Sequence, residues 1–234
     1  MKIFNLIVIA LMFIAGWILY PALPENLPVH WNIRGQVDNY MPKSQSVWLM
    51  PVMVVLFFVL FRIIPSLDPK KEKYRLFARE WEIIQTGFIG FFAYLHFIIL
   101  YLSLHPEVPI MPLMFIGIGS LFILLGNYLS KIRQNYFIGI KVPWTLADED
   151  NWNKTHRFAS WCFVIAGIVT IAEAFFFWYA PVVILGGIFL ASGLPIIYSF
   201  LLFKQSLHLM KYIYLALIVL ASGMFFICLH TPGV

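Results

Sequence analysis

Residues 47–64 read VWLMPVMVVLFFVLFRII, a run of eighteen residues with one charged side chain, that of Arg62. A helix that rises 1.5 Å per residue needs roughly 20 apolar residues to cross the ~30 Å hydrocarbon core of a bilayer. The run shows no alternation of apolar and polar residues, so it predicts a membrane-spanning helix and not a barrel strand. This stretch indicates an integral membrane protein.

The rest of the chain has the same character. Of its 234 residues, 62% are hydrophobic and 12% are charged, and the mean hydropathy is +0.86, whereas a soluble domain is about a quarter charged. Seven apolar blocks are close to the spanning length: 3–20, 47–64, 83–104, 110–129, 158–179, 182–203 and 212–229. The expected fold is an all-α, polytopic transmembrane bundle of about seven helices with a small extracellular loop domain.

The first block has the leading lysine and the apolar run of a signal peptide. It has no A-x-A cleavage site, and Pro21 follows it directly. We therefore expect a helix that stays uncleaved. Cleavage would in any case leave residues 21–46 on the same side of the membrane, so the location of that loop does not depend on it.

Lysine and arginine predict the orientation, because cytoplasmic loops carry the excess of both. With the seven blocks threaded in turn, every Lys and Arg except Arg34 and Lys43 falls on one side. The N-terminus is therefore expected in the cytoplasm and the C-terminus outside the cell membrane. The net charge of +5 follows from this distribution, and we expect no direct nucleic-acid binding.

The loop of residues 21–46 is expected outside the cell. Apolar and polar residues alternate over positions 29–34, which predicts a short strand that ends at Gly35. The candidate ligand-binding residues of this loop are His30, Asn32, Arg34, Gly35 and Asp38. One histidine and one carboxylate are too few for a specific zinc site, so we expect no metal and no other cofactor.

Two further loops are expected in the cytoplasm. In residues 65–82, Asp68 and Pro69 have the pattern of a helix N-cap followed by proline, and the basic residues after them predict contact with anionic membrane lipids. In residues 130–157, Thr145 is predicted to cap a helix with Asp148 at its third position. That helix is expected to run directly into the fifth span, with an ion pair between Asp150 and Lys154.

Three ionisable residues fall inside the apolar blocks, and the first, Arg62, lies near the inner end of its helix, where it can reach the interface. An ionisable group inside a membrane is costly and therefore suggests function. His96 lies near the middle of the third block, and Glu173 lies near the outer end of the fifth. We expect Glu173 to face a polar cavity or to be protonated, with His96 or a group of the outer loop as its partner.

Residues 126–161 read GNYLSKIRQNYFIGIKVPWTLADEDNWNKTHRFASW. This stretch resembles the signature of the SdpI family, the bacterial immunity proteins against the sporulation-delaying toxin. The matching positions are Gly126, Asn127, Asn135, Gly139, Ile140, Lys141, Pro143, Trp144, Thr145, Leu146, Trp152, Thr155, His156 and Arg157. Lys141 stands where arginine is frequent in the family, and it keeps the charge.

Residues 23–43 read LPENLPVHWNIRGQVDNYMPK. They resemble the N-terminal domain of unknown function that often precedes the SdpI signature, and the matching positions are Pro28, His30, Asn32, Gly35 and Asp38. The resemblance covers about residues 20–165, and we expect three regions in the chain. Residues 1–64 form the N-terminal domain, residues 65–110 form the third helix with its flanking loops, and residues 111–229 form the SdpI-like region.

The resemblance implies a membrane protein that protects the cell from a secreted peptide toxin, and the best-known member also holds a cytoplasmic repressor at the membrane. Our first hypothesis is therefore a receptor-like immunity protein with these two partners. A second is a proton-coupled transporter or flippase with Glu173 and His96 along its path. A third is a membrane-embedded enzyme, which we expect less because the chain carries none of the common catalytic motifs and no residue is assigned a catalytic role.

Overall fold

The structure is a computed structural model that describes residues 1–176 and 180–207. Its elements are α1 (Lys2–Leu19), β1 (Asn26–Trp31), β2 (Val37–Pro42), α2 (Lys43–Leu67), α3 (Ala78–Leu104), α4 (Ile110–Leu129), α5 (Pro143–Ala147), α6 (Glu149–Phe176) and α7 (Ala180–Ile188). A 3-10 helix, Lys71–Phe77, leads into α3. After α7 the chain continues through a π-helical turn, Phe189–Gly193, and stays helical to Leu207.

Six helices among the described residues are long and apolar enough to cross a membrane. This confirms the predicted multi-pass, mainly helical architecture. The predicted seventh span, residues 212–229, lies outside the described residues, as does Tyr179 at the end of the fifth. Many large apolar side chains of these helices are exposed, as expected where lipid is the solvent.

The closest helix pair is α4 with α6. A Cβ atom added to Gly119 of α4 would come within 2.6 Å of the carbonyl oxygen of Gly167 on α6, and the reverse distance is also 2.6 Å. Because only glycine allows this approach, the two backbones pack directly on each other. The α4–α6 pair is joined to a second group, α1, α2 and α3, through α3 and α4.

A proline inside α2 helps to fix α3 against it. Pro65 has no N–H, so the carbonyl of Phe61, four residues earlier, loses its helical donor. Two side chains of α3 donate to this carbonyl oxygen instead: Trp81 through Nε1 at 3.3 Å and Gln85 through Nε2 at 3.1 Å. The broken helical hydrogen bond is therefore replaced by contacts between helices.

The strand predicted in the loop of residues 21–46 exists, but its predicted extent was wrong. β1 ends at Trp31 and pairs with an antiparallel β2, which the alternation did not reveal. The turn between them is held by Asn32, whose Oδ1 accepts hydrogen bonds from the backbone N–H groups of Arg34 at 2.9 Å and Gln36 at 3.1 Å. Gly35 has φ +75°, a left-handed conformation that suits glycine.

The predicted cap of the fifth span was also wrong. Thr145 lies inside the short helix α5, and Asp148 has extended backbone angles that separate α5 from α6. Asp148 is itself the capping residue, because its Oδ1 accepts a hydrogen bond from the N–H of Asp150 at 2.9 Å. The predicted ion pair between Asp150 and Lys154 is confirmed at 2.7 Å.

The two polar regions lie at opposite ends of the bundle. The hairpin packs near Leu100 in the last turns of α3, whereas the loop after α4 packs on Trp81 and Ile84 in its first turns. α3 has 27 residues and is therefore roughly 40 Å long. We name these the hairpin end and the motif end, and we call residues 130–148 the motif loop.

Candidate functional site

Asn135 is the centre of the motif loop, with 0% of its surface exposed. Its Oδ1 accepts hydrogen bonds from the N–H groups of Phe137 at 2.8 Å and Ile138 at 2.9 Å. Its Nδ2 donates to the carbonyl oxygens of Arg133 at 2.9 Å and Ile138 at 3.1 Å. One side-chain amide thus provides hydrogen-bond partners for four backbone groups of a tight turn, which lies outside regular secondary structure.

Asp68 ties this turn to the loop between α2 and α3. Its side chain accepts hydrogen bonds from the backbone N–H groups of Lys70 at 2.7 Å and Tyr136 at 2.9 Å, and from the hydroxyl of Tyr74 at 3.0 Å. Asp68 is 2% exposed, so these donors stabilise a buried carboxylate. Sequence reasoning treated Asp68 only as a helix cap and missed this long-range role.

His156 closes the other side of the motif loop. Its Nδ1 donates to the carbonyl oxygen of Trp152 at 2.8 Å, which leaves Nε2 to accept from the N–H of Ile140 at 3.0 Å. The imidazole stacks on the ring of Trp152, with 3.9 Å between centroids. Trp152 in turn donates through Nε1 to the carbonyl oxygen of Ile132 at 2.9 Å. The α6 residues Trp152 and His156 therefore act together as a platform for the loop.

Gly139 lies directly against this platform. Its φ is +114°, outside the range that side chains tolerate well. A Cβ atom here would come within 2.4 Å of the His156 Nε2 and 2.9 Å of the Trp152 ring. Both the backbone angle and the close approach therefore require glycine.

Gln134, a residue that the motif did not single out, links three segments. Its Nε2 donates to the carbonyl oxygens of Thr145 at 2.8 Å and Leu146 at 3.0 Å, and its Oε1 accepts from Lys70 Nζ. Burial, together with the neighbouring Lys73, lowers the pKa of Lys70. The Thr145 hydroxyl donates a hydrogen bond to the carbonyl oxygen of Ile140 at 2.8 Å. Helix α5 is therefore hydrogen-bonded to the preceding loop residues through both Gln134 and Ile140.

The last described helix is attached to the motif at Ser199. Trp144 donates through Nε1 to the Ser199 hydroxyl at 2.8 Å and stacks on Phe203. Asn151 donates through Nδ2 to the Ser199 carbonyl oxygen at 2.9 Å, and Thr155 donates to Asn151 Oδ1 at 3.0 Å. Trp144 is thus a packing and hydrogen-bonding residue between two helices.

Several motif residues face outward. Asn127 is exposed on α4, where its side chain bonds back to the Ile123 carbonyl oxygen at 2.8 Å. Pro143 is exposed at the first position of α5. Lys141 and Arg157 are exposed, and the Lys141 ammonium donates to the carbonyl oxygen of Phe137 at 2.8 Å. These residues form the part of the motif that another protein could touch.

At the hairpin end, His30 and Asp38 are joined by a hydrogen bond of 2.5 Å between Nδ1 and Oδ1, and both side chains are exposed. Arg34 is exposed at the turn. Beneath the hairpin lies a cavity of about 350 Å³. Its walls are mainly apolar and are lined by residues of β1, α2, α3, α4 and α7: Val29, His30, Trp31, Asn32, Ile33, Met50, Leu95, Ile98, Ile99, Ile110, Met111, Met114, Phe115, Ile118 and Ile184. We call it the hairpin cavity.

The two intramembrane polar residues are both buried, but on helices that do not meet. His96 on α3 bonds through Nε2 to the Met12 carbonyl oxygen at 3.1 Å. Glu173 lies on α6, and across the described residues no Cα of α6 lies within 8 Å of a Cα of α1 or α3. Their two helices therefore have no close backbone contact in the described part of the chain, and neither residue lines the hairpin cavity.

Comparison with known proteins agrees with these two regions. Residues 131–199 match the SdpI/YfhL protein family, and residues 7–55 match a domain of unknown function, DUF1648. The chain is 30% identical to the immunity protein SdpI of Bacillus subtilis (strain 168) over 175 residues, which is 75% of this chain and 82% of that protein. No solved structure matches the chain significantly. This multi-pass membrane protein therefore belongs to the SdpI family.

Proposed function

We propose that the protein confers immunity by binding an extracellular peptide toxin at its hairpin end and reports that binding to a cytoplasmic partner at its motif end. The observation that carries the proposal is the hairpin cavity, a mainly apolar space whose lining includes the polar hairpin residues His30 and Asn32. The relative named as an immunity protein supports the biological context. The orientation, the ligand and the partner are parts of the proposal.

The chemistry of the hairpin cavity suits an apolar peptide segment. Met50, Met111 and Met114 contribute flexible side chains to its walls, and methionine adapts to irregular apolar surfaces. His30 lines the cavity, and its exposed side chain is hydrogen-bonded to the exposed Asp38, so this pair can meet polar groups of a peptide backbone. Binding pockets commonly combine such apolar walls with a few placed polar groups.

The charge distribution supports the orientation. The hairpin end carries Arg34 and Lys43, whereas the remaining Lys and Arg residues of the described chain lie toward the motif end. Cytoplasmic surfaces of membrane proteins hold the excess of these residues. The motif end is therefore assigned to the cytoplasm, and the hairpin to the outside.

The last described helix, Ala180–Leu207, also runs between the two ends. Ile184 on α7 lines the hairpin cavity, and Ser199, fifteen residues later and therefore roughly 22 Å along the axis, carries the bonds to Trp144 and Asn151. Between them lies the π-helical turn, which precedes Pro195. Ala191 and Ser192 of that turn face a second cavity, of about 500 Å³, beside Gly139. Because π-turns often mark functional sites, a shift of this helix is the proposed route of the signal.

A survival assay tests toxin binding. Expression of this protein in a Bacillus subtilis strain without its own immunity protein is expected to protect the cells from the sporulation-delaying toxin. Met114→Trp, which fills the hairpin cavity, is expected to weaken protection and direct toxin binding by about tenfold, the factor that corresponds to ~1.4 kcal/mol. Microscale thermophoresis with the purified toxin peptide measures the binding.

The matched control is Leu185→Trp, on the outer face of α7 next to Ile184, where the leucine is 68% exposed. This variant adds the same side chain where it faces lipid, so its protection is expected to stay within about twofold of the wild type. Equal protection by both variants would remove the hairpin cavity from the proposal. A wild-type protein that reaches the membrane but neither binds nor protects would contradict the toxin-binding proposal as a whole.

Cysteine labelling tests the orientation and the signal together, in a background without Cys162 and Cys228. Arg157→Cys is expected to react with an impermeant maleimide only from the cytoplasmic side, and Arg34→Cys only from the outside. Toxin added from the outside is expected to change the labelling rate at position 157. Labelling of both positions from one compartment would contradict the topology, and an unchanged rate at saturating toxin would contradict the signalling route.

A further inference from the structure

A third cavity lies at the motif end, on the side of the loop between α2 and α3. It has a volume of about 330 Å³ and is enclosed by the last turns of α2, the 3-10 helix and the first turns of α3. Phe61, Tyr74 and Trp81 supply aromatic walls, and Arg62, Lys71 and Arg75 supply cations. Neither the SdpI match nor the DUF1648 match includes this segment.

The charges around this cavity do not cancel. Glu82 is the one acidic side chain in its lining. Arg75 forms an exposed ion pair with Glu72 at 3.4 Å, and exposed pairs of this kind contribute little. Arg62 has no carboxylate within 4 Å among residues 1–176 and 180–207, and it rests on the face of the Phe58 ring. Arg62, Lys71 and Arg75 are all exposed at this end of the bundle, so the cavity offers accessible cations to an anion of the headgroup zone.

The position of Arg62 along α2 indicates how deep in the bilayer an anion would bind. It lies five residues before the end of α2, which is roughly 7.5 Å along the helix axis. This is the headgroup zone of a bilayer spanned by α2. Toward the membrane centre, the next turns of α2 expose Leu56, Val59 and Leu60, so an apolar strip continues from the cationic site.

We propose that this cavity binds an anionic phospholipid, with the phosphate held by Arg62, Lys71 and Arg75 and one acyl chain along the exposed strip of α2. The aromatic walls and the adjoining apolar strip fit a lipid, whereas a free phosphate would use only the cations. The site is independent of the proposed toxin binding, because it lies at the other end of the bundle.

Native mass spectrometry of the full chain in detergent tests the site, with phosphatidylglycerol and phosphatidylcholine as probes. The wild type is expected to retain phosphatidylglycerol in preference to phosphatidylcholine. Each of the substitutions Arg62→Gln, Lys71→Gln and Arg75→Gln is expected to weaken phosphatidylglycerol retention by about fivefold, the factor that corresponds to ~1 kcal/mol per basic residue. The triple variant is expected to lose the preference.

The control is a second triple variant with the same charge change, Lys131→Gln, Arg133→Gln and Lys204→Gln, on exposed residues of the motif end outside the cavity. It is expected to keep the preference. An equal loss in both triple variants would overturn the proposal, as would displacement of the lipid by millimolar inorganic phosphate. Because the single variants are measured separately and checked for helix content by circular dichroism, misfolding of the triple variant leaves the test intact.

Discussion

Gly139→Ala is expected to lower the free energy of unfolding by about 4 kcal/mol. The substitution adds the cost of a side chain at φ +114°, on the order of 1–3 kcal/mol, to a clash with His156 and Trp152, on the order of another 1–3 kcal/mol. The clash cannot relax easily, because both neighbours are buried and hydrogen-bonded. Reversible unfolding in mixed micelles, followed by tryptophan fluorescence, measures the change.

Gly90→Ala is the matched control. A Cβ atom at Gly90 meets nothing within 4 Å, and the residue lies in the middle of α3. Alanine is the better helix former by about 1 kcal/mol, so this variant is expected to be unchanged or slightly more stable. Equal stability of the two variants would show that the motif loop does not press on α6 as the structure describes.

Asn135→Ala is expected to have a comparable effect for a different reason. It removes the partners of two N–H groups and two carbonyl groups, and each buried group left without a partner costs about 1–3 kcal/mol. Some of these groups will find water, so we expect a loss of about 3–5 kcal/mol rather than the full sum. Hydrogen exchange at the amides of Phe137 and Ile138 should accelerate in the same variant.

The control here is Asn127→Ala, also within the SdpI signature. Asn127 is exposed, and its side chain makes one bond, to a carbonyl oxygen within its own helix. Its replacement is expected to change the free energy of unfolding by less than about 0.5 kcal/mol. If Asn127→Ala destabilises as much as Asn135→Ala, the assignment of Asn135 as the centre of the loop is wrong.

Both predictions follow from where the motif residues lie. Asn135, Thr145, Trp152, Thr155 and His156 are buried, so their substitution should act through folding. Lys141 and Arg157 are exposed, and their substitution should leave stability nearly unchanged while it weakens the signalling that we propose. Measuring the abundance of each variant separately from its activity therefore distinguishes the motif residues that support folding from those that form the surface.

Local sequence patterns predicted individual helices and contacts within a helix well, but they predicted contacts between separate segments poorly. The acid and base of Asp150 and Lys154 are four residues apart on one helix, so their ion pair followed from spacing alone. β2 was missed because Val37–Pro42 has no clear alternation and ends in proline. His96 was named as one possible partner of Glu173 because both are polar within apolar blocks, yet no Cα atoms of their two helices, as far as the structure describes them, lie within 8 Å of each other.

What the amino-acid sequence determined by itself is the number of membrane spans among the described residues and the loops that separate them. Lipid selects each span by its own length and composition, independently of the others. The tertiary structure decided that Asp68 meets Tyr136 and that Ser199 meets Trp144. Each such hydrogen bond joins residues more than fifty positions apart, and it exists only because packed helices bring their ends together. No local pattern encodes that arrangement.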